Sequence, residues 1–311
     1  MTAIPEFPNF EALDFRHAKE LKSALELSQP EVSELSMGFI FGYSPCFNFR
    51  VARLDGNICI FGEIKGMPVM LMPVGTSNLR HTAVKCLNFL LKKFGRAKLT
   101  GLPADMAKKW QDEPGWRIVD NRDDYDYLYR VKELVDLAGK DFHAKKNLVA
   151  QFRKKYVFRY LNLTPDLLKE CLRLQEEWCN LKNCSGDETL AMENTMVREL
   201  LKHFGCLDLF GAVILIDGKI RAFTVGERLN RNTAVIHIEK ADTEYRGIYQ
   251  AINNLFCENS LSGYEFVNRE QDDGKCGLRK AKLSYHPVRF IVKYNIEEWK
   301  AGTGIKIGDN T

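Results

Sequence analysis

The two halves of this chain carry a similar order of helix-like and strand-like segments. In the first half, a helical stripe in FEALDFRHAKELKSALEL precedes strand-like runs in FNFRVARLDGNICIFGEI and PVMLMPVG, and a second helix follows in HTAVKCLNFLLKKFG. In the second half, two helices, TPDLLKECLRLQEEWCNLK and DETLAMENTMVRELLKHFG, precede three strands, and a further helix and strand come next. This repetition predicts an α/β (α+β) chain of two tandem domains, each with a mostly antiparallel mixed sheet flanked by helices.

Short turn sequences indicate where the strands reverse. Asp55-Gly56 and Asp217-Gly218 are typical of hairpin turns. The segment WRIVDNRDDYDYLYRV carries an acidic turn between two strand-like runs, and we expect it to form the hairpin that closes the first half. The predicted domains are residues 1–138 and 161–298, joined by a basic helix over 139–160 and followed by a flexible tail over 299–311.

Composition narrows the class of protein. The 311 residues are 45% hydrophobic with a formal net charge of +4, which is typical of a globular protein. The nine Cys are scattered without a CxxC pair and no basic-then-apolar leader opens the chain, so we expect reduced thiols and a cytoplasmic location. Apolar runs are too short to span a membrane, so we expect peripheral membrane contact at most. Cys179 and Cys184 lack metal-ligand spacing, and no metal site is predicted.

The joint between the halves is the most basic part of the chain. Residues 139–160 contain seven Lys or Arg against the single acidic Asp141, and their apolar residues fall near one helical face. Such a helix can bind phosphates, and Lys145 and Lys146 are its candidate ligands. The alternative interpretation is a solvated linker helix.

The strand TAVIHIEKAD carries two side chains that can move protons. Alternation along a strand would place Val235, His237 and Glu239 on one face. An imidazole beside a carboxylate can take a proton from an amine nucleophile. A hydrogen-bonded structural His with a surface Glu is the alternative.

A charged stretch, NREQDDGKCGLRKAKLSYHP, follows the strand YEFV. In it Glu270 is a candidate acid–base residue, Arg279 and Lys282 lie three apart on a short helix and can bind an anion, and Tyr285 can protonate a leaving group. The candidate ligands of the acceptor are Asn268, Arg269 and Asp272. A salt-bridged loop without chemistry is the alternative.

The segment EYRGIYQAINNLF is similar to the pyrophosphate loop of acyl-CoA-dependent N-acyltransferases of the GNAT fold, Q/R-x-x-G-x-G/A. Arg246 matches the first position and Ala251 the last, whereas Tyr249 stands at the middle glycine. Backbone amides at such a helix start cradle phosphates, so Arg246 and Gly247 are candidate donor ligands.

Four segments together identify a family: LAGKDFHAKKNLVAQFRKKY, AFTVGERL, HIEKADTEYRGIYQAINNLF and NREQDDGKCGLRKAKLSYHP. They resemble the bacterial family named after the C-terminal catalytic part of phosphatidylglycerol lysyltransferases. The resemblance implies two tandem GNAT-like domains, as in the Fem aminoacyltransferases, with the transfer site in the second. It also implies aminoacyl-tRNA as donor, tRNA as a partner and no permanently bound cofactor.

The resemblance leads to a functional hypothesis. We expect an aminoacyl group to move from aminoacyl-tRNA to a hydroxyl or amine of a lipid, peptide or small molecule. Glu239 or Glu270 would deprotonate the acceptor, and Tyr285 would protonate the departing oxygen. Arg246, Arg279 and Lys282 would hold donor phosphates. Two alternatives stay open, namely a CoA-dependent N-acyltransferase that takes acyl-CoA and a non-catalytic RNA-binding or regulatory module.

Overall fold

The structure is a computed structural model that describes residues 4–111 and 115–298, so the predicted tail lies outside the described residues. The strands are β1 (Glu11–Ala12), β2 (Arg50–Leu54), β3 (Asn57–Ile64), β4 (Met67–Leu71), β5 (Lys98–Pro103), β6 (Trp116–Asp120), β7 (Asp126–Arg130), β8 (Phe158–Asn162), β9 (Phe210–Ile216), β10 (Lys219–Arg228), β11 (Thr233–Ala241), β12 (Phe266–Asn268), β13 (Arg289–Ile291) and β14 (Lys293–Glu298). The helices are α1 (Ala18–Ser28), α2 (Met37–Phe47), α3 (Leu79–Phe94), α4 (Ala104–Trp110), α5 (Val131–Asp136), α6 (His143–Lys155), α7 (Leu168–Lys182), α8 (Glu188–Lys202), α9 (Ile248–Ser260) and α10 (Cys276–Leu283).

The strands form two seven-stranded mixed sheets. The first has the order β1-β2-β3-β4-β5-β14-β6, in which only β4 and β5 pair in parallel. The second has the order β13-β7-β12-β11-β10-β9-β8, and here β11 and β12 form the parallel pair. Helices flank each sheet. The predicted fold class is therefore confirmed.

Both Asp-Gly turns form as the sequence predicts. Asp55 and Gly56 adopt φ angles of 53° and 81°, and Asp217 and Gly218 adopt 52° and 72°. Two consecutive positive φ angles match the twist of the flanking strands, which is why short polar residues and glycine occupy these turns.

The predicted closing hairpin is wrong. β6 belongs to the first sheet, where β14 pairs with it, whereas β7 belongs to the second sheet and pairs with β12. Between them the side chain of Asn121 accepts a hydrogen bond from the Asp123 amide and begins a short 3-10 turn instead of a hairpin.

This strand arrangement also changes the domain boundaries expected from sequence. Among the described residues, one compact unit contains 4–111, 115–126, 271–274 and 290–298, and the other contains 127–270 and 275–289. The basic joint, which contains α6, belongs wholly to the second unit. Long-range strand pairing, which local sequence does not encode, decides this division.

A buried charge cluster ties β14 into the first unit. The ammonium of Lys293 donates hydrogen bonds to Glu34 Oε1 at 2.7 Å and to Asp126 Oδ1 at 2.8 Å. Ser33 donates to Asp126 through both its amide and its hydroxyl, each at 2.9 Å. Burial raises the pKa of Glu34 to about 7, although the neighbouring Lys293 opposes the shift.

The second unit packs α9 against the sheet, with Ile248, Ala251, Ile252 and Phe256 almost fully buried. At the end of α7, Cys179 and Cys184 form a disulfide with their α-carbons 5.0 Å apart, so the expectation of reduced thiols is wrong for these two, whereas the other seven Cys are free. The left-handed conformation of Asn183 ends α7 and turns the chain back toward Cys179.

The pKa of Glu34 predicts how stability depends on pH. Because the folded state raises this pKa, the folded chain binds a proton that the unfolded chain releases between pH 4.5 and about 7. The contribution to stability is complete below pH 4.5 and is lost as the pH rises through about 7. We expect Glu34→Gln to flatten this part of the pH dependence of Tm, measured by calorimetry between pH 4 and 8. Exposed Glu31→Gln is the control, and an unchanged slope in Glu34→Gln would contradict the assignment.

Candidate functional site

The candidate site lies in the second unit, where β11 and β12 stop pairing. Their parallel register runs from Thr233 opposite Phe266 to Val235 opposite Asn268. Beyond this point β11 continues through His237 and Glu239, while the segment after β12 continues through Arg269 and Glu270. The charged residues predicted on both segments therefore lie just beyond the last paired residues, Val235 and Asn268.

A β-bulge changes which way the β11 side chains point. On β10, Val225 is opposite Ile238 and Gly226 is opposite Ile236, so His237 is an extra residue. Thr224 faces Glu239 and Glu227 faces Val235. Because Thr224 and Glu227 are three apart on a strand, their partners lie on opposite faces. The predicted common face for Val235 and Glu239 is wrong, since the bulge interrupts the alternation.

His237 is held between two carboxylates. Its Nδ1 lies 2.7 Å from Glu270 Oε1 and its Nε2 lies 2.8 Å from Glu227 Oε1. Burial disfavours the charged imidazole, but the hydrogen bonds and charges of the two glutamates outweigh it and raise the pKa of His237 to about 10. The imidazolium therefore donates both hydrogen bonds at neutral pH and cannot accept a proton.

Glu227 was not predicted from sequence. It is 5% exposed and lies in the buried stretch AFTVGE of β10. A charged residue within such a run was the available signal, because a buried carboxylate needs a partner such as His237.

Glu239 is engaged on both of its oxygens. Asn253 of α9 donates to Oε1 at 3.0 Å, and the Nε of Arg269 donates to Oε2 at 3.1 Å. Both charged side chains are 14% exposed. Glu239 thus serves as the counter-ion of Arg269 in this structure.

Lys282 of α10 contacts the backbone that leaves β12. Its ammonium donates to the carbonyl oxygens of Arg269 and Glu270, the latter at 3.1 Å. The hydroxyl of Tyr129 in turn donates to the Lys282 carbonyl at 2.8 Å. Lys282 therefore holds α10 against this backbone, and Arg279 lies one turn earlier, half-buried on the same helix.

Two of the predicted acceptor ligands are fully buried. Asn268 accepts a hydrogen bond from the Glu270 amide at 2.8 Å and so shapes the turn, where Glu270 adopts a φ of 56°. Asp272 belongs to the first unit, where it accepts from the Gly274 amide at 3.0 Å and lies 3.6 Å from Arg122. These contacts give both residues a structural role.

Tyr285 and Lys145 do come together. The Lys145 ammonium lies 4.3 Å from the centre of the Tyr285 ring, and the Arg269 guanidinium lies 4.9 Å from it. Burial raises the pKa of Tyr285 well above its usual value, so its hydroxyl stays protonated.

The predicted phosphate loop at the start of α9 is covered by α6. Gly247 has a φ of 88°, and a β-carbon there would lie 2.6 Å from the carbonyl oxygen of Leu148. The Tyr249 side chain turns away from this helix start, and its hydroxyl accepts a hydrogen bond from the Trp178 indole at 3.0 Å. Tyr249, at the position of the middle glycine of the motif, thus contacts Trp178 of α7.

The outer side of α6 carries exposed cations. Lys146 and Lys154 are exposed, as is Arg246, which precedes Gly247 beside this helix. None of the three forms an ion pair within the described parts of the chain. We call Lys146, Lys154 and Arg246 the basic surface. The predicted phosphate ligands Arg246 and Lys146 therefore share one region.

Residues 25–297 match the family described as phosphatidylglycerol lysyltransferase, C-terminal. The chain belongs to this family. An uncharacterized protein of Mycoplasmoides gallisepticum is 28% identical over 204 residues, which are 64% of this chain and 63% of that relative. The match thus spans less than two thirds of the relative's length.

Solved structures place this family member among tandem GNAT-like proteins. A conserved protein of unknown function from Bacteroides thetaiotaomicron is 30% identical with a TM-score of 0.88, covering 93% of this chain and 99% of that one. L-PGS from Bacillus licheniformis is 16% identical with a TM-score of 0.63, covering 95% and 93%. FemX is 7% identical with a TM-score of 0.55, covering 92% and 96%. The resemblance stated from sequence is confirmed. No described helix of this family member is long and apolar enough to cross a membrane.

The close approach of α6 to Gly247 predicts graded effects of three glycine substitutions. Gly247→Ala combines a positive φ with a clash against backbone, and we expect it to lower the free energy of unfolding by about 2 kcal/mol or more. Gly218 has a φ of 72° but no atom within 4 Å of a β-carbon, so Gly218→Ala tests backbone strain alone. We expect it to lower the free energy of unfolding by roughly 1 kcal/mol. Gly263→Ala, also without close neighbours, is the neutral control. Urea unfolding of the three variants measures the series, and equal stabilities for Gly247→Ala and Gly218→Ala would contradict the tight contact.

Proposed function

We propose that this chain transfers an aminoacyl group from aminoacyl-tRNA to a hydroxyl or amine of a lipid, peptide or small molecule. The observation that carries the proposal is the packing of α6 over the start of α9, with the basic surface facing outward. Family membership supports a transferase, and the FemX-like fold supports an aminoacyl donor.

The basic surface suits a polyanionic donor. Its three cations make no competing ion pairs within the described residues, so each can contact a phosphate without losing a protein partner. Such contacts position a nucleic acid without reading its bases. A tRNA acceptor end lying along α6 would reach the residues that follow β12.

The alternative with acyl-CoA is disfavoured by the same contact. A CoA pyrophosphate needs backbone amides at an open helix start. On the side where a β-carbon of Gly247 would lie, the Leu148 carbonyl oxygen would be 2.6 Å away, and its partial negative charge opposes a phosphate there. The tight packing therefore supports the aminoacyl-tRNA donor over the acyl-CoA alternative.

In the proposed mechanism Glu270 is the general base. His237 donates to its Oε1, while Oε2 has no hydrogen-bond partner among the described residues, and the side chain is 21% exposed. Glu270 takes the proton from the acceptor as the acceptor attacks the ester carbonyl carbon. The bond between that carbon and the ribose oxygen then breaks.

The departing ribose oxygen needs a proton, which Tyr285 supplies in this proposal. The raised pKa of Tyr285 keeps the donor protonated until that step, and the proton held by Glu270 restores the phenol through solvent. Backbone amides of β11, beyond its pairing with β12, would polarise the ester carbonyl. His237 stays protonated and orients Glu270.

Replacing each glutamate by glutamine separates their roles. We expect Glu270→Gln to lower the transfer rate by about 100-fold or more, because the base is lost without loss of shape. Glu239→Gln leaves Arg269 without its counter-ion, so its main effect is expected on stability. The assay follows radiolabelled amino acids from bulk aminoacyl-tRNA into lipid, peptide and small-molecule fractions of a nucleic-acid-free bacterial extract. Full turnover in both variants would rule out carboxylate catalysis. Binding of tRNA with no transfer by the unmodified chain would favour a non-catalytic RNA-binding module.

Salt dependence tests the basic surface. We expect the triple variant Lys146→Gln, Lys154→Gln, Arg246→Gln to reduce the slope of log K against log salt for tRNA by about 2 to 3, because each lost phosphate contact removes about 0.7 to 0.9. The control triple, Lys108→Gln, Lys169→Gln, Lys219→Gln, removes equal charge from exposed positions elsewhere. Equal slopes for both triples would show that tRNA binds another surface.

A further inference from the structure

Two cations from different elements lie close to one aromatic ring in the second unit. Lys145 projects from α6 and Arg269 follows β12, and both lie within 5 Å of the centre of the Tyr285 ring, at 4.3 and 4.9 Å. The pKa of Lys145 is lowered, first by burial and then by the charge of Arg269.

The hydrogen-bonding capacity of this pair is only partly used. Arg269 donates through Nε and Nη2 to Glu239, but its buried Nη1 makes no hydrogen bond to any described residue. Lys145 likewise has no carboxylate within ion-pair distance in the described parts of the chain. Buried donors are normally satisfied, so each such donor needs an explanation.

The charge balance indicates what kind of group fits. Lys145 and Arg269 contribute two positive charges and Glu239 contributes one negative charge, so these three side chains carry one net positive charge. A monoanion with two terminal oxygens can neutralise it, accepting from Arg269 Nη1 with one oxygen and from Lys145 with the other. A phosphodiester has this charge and this pair of oxygens.

We propose that Lys145, Arg269 and Tyr285 form a binding site for one phosphodiester, that of the terminal nucleotides of the aminoacyl-tRNA donor. This assignment rests on the proposed function. Lys145 directly precedes Lys146 of the basic surface on α6. A tRNA whose backbone phosphates bind that surface would therefore place its terminal nucleotides at the site. The site thus fixes the last phosphate, while the exposed cations attract the rest.

The experiment measures protection of Lys145 from an amine-reactive acylating reagent, read residue by residue by mass spectrometry. The probes are the dinucleotide CpA, which mimics the terminal phosphodiester, a mixture of cytidine and adenosine, which lacks it, and vesicles containing an anionic phospholipid. We expect CpA to slow labelling of Lys145 by several-fold and the nucleosides to leave it unchanged.

Variants test the geometry of the site. Arg269→Lys keeps a charge beside Glu239 but removes the free Nη1 donor, and Lys145→Met keeps the aliphatic stem without the charge. We expect each to weaken CpA binding by about tenfold or more in calorimetry, whereas Lys169→Met, an exposed position on α7, changes it by less than about twofold. Circular dichroism and Tm confirm that each variant is folded.

The outcomes separate this site from the proposed function. Protection by CpA in a chain that transfers no aminoacyl group would support the site and contradict the proposed reaction. Transfer activity without protection of Lys145 would overturn the site and leave the reaction standing. Protection by the vesicles but not by CpA would overturn the nucleotide assignment in favour of a lipid phosphate.

Discussion

The packing of α6 against the start of α9 is the contact on which the functional account depends. It requires a residue without a side chain at 247, because the Leu148 carbonyl oxygen would lie only 2.6 Å from a β-carbon there. The same contact packs α6 against the helix start at which a GNAT pyrophosphate loop would lie, and Arg246 directly precedes Gly247. In the proposed function, this steric constraint disfavours an acyl-CoA donor, and the exposed cations suit a polyanionic one.

The charged residues of the candidate site have different structural roles. His237 sits between Glu227 and Glu270, and its raised pKa keeps it charged, so it orients a base and does not act as one. Lys282 holds the backbone that follows β12. Within the stretch from Asn268 to Pro287, Lys282 and Asp272 thus fix backbone geometry, while Arg269 keeps an unused donor.

The sequence allowed the fold class to be predicted because local signals determine it. The tight turns at the two Asp-Gly pairs need two positive φ angles, and both of these hairpins form. The exchange of β14 into the first sheet and of β7 into the second depends on long-range pairing, which no local pattern encodes. The bulge at His237 had the same effect on the site, since alternation alone places Val235 and Glu239 together. The charged residue types of the site could be recognised from the sequence. Their hydrogen-bond partners could not, because they depend on the register between β10 and β11.

The most direct test of this account is a calorimetric titration of the chain with coenzyme A and, in parallel, with bulk aminoacyl-tRNA at low salt. The account predicts no measurable heat with coenzyme A and salt-sensitive binding of aminoacyl-tRNA. Micromolar binding of coenzyme A, retained when α6 carries Lys146→Gln and Lys154→Gln, would contradict it. That result would show that the start of α9 accepts a pyrophosphate despite the Leu148 carbonyl.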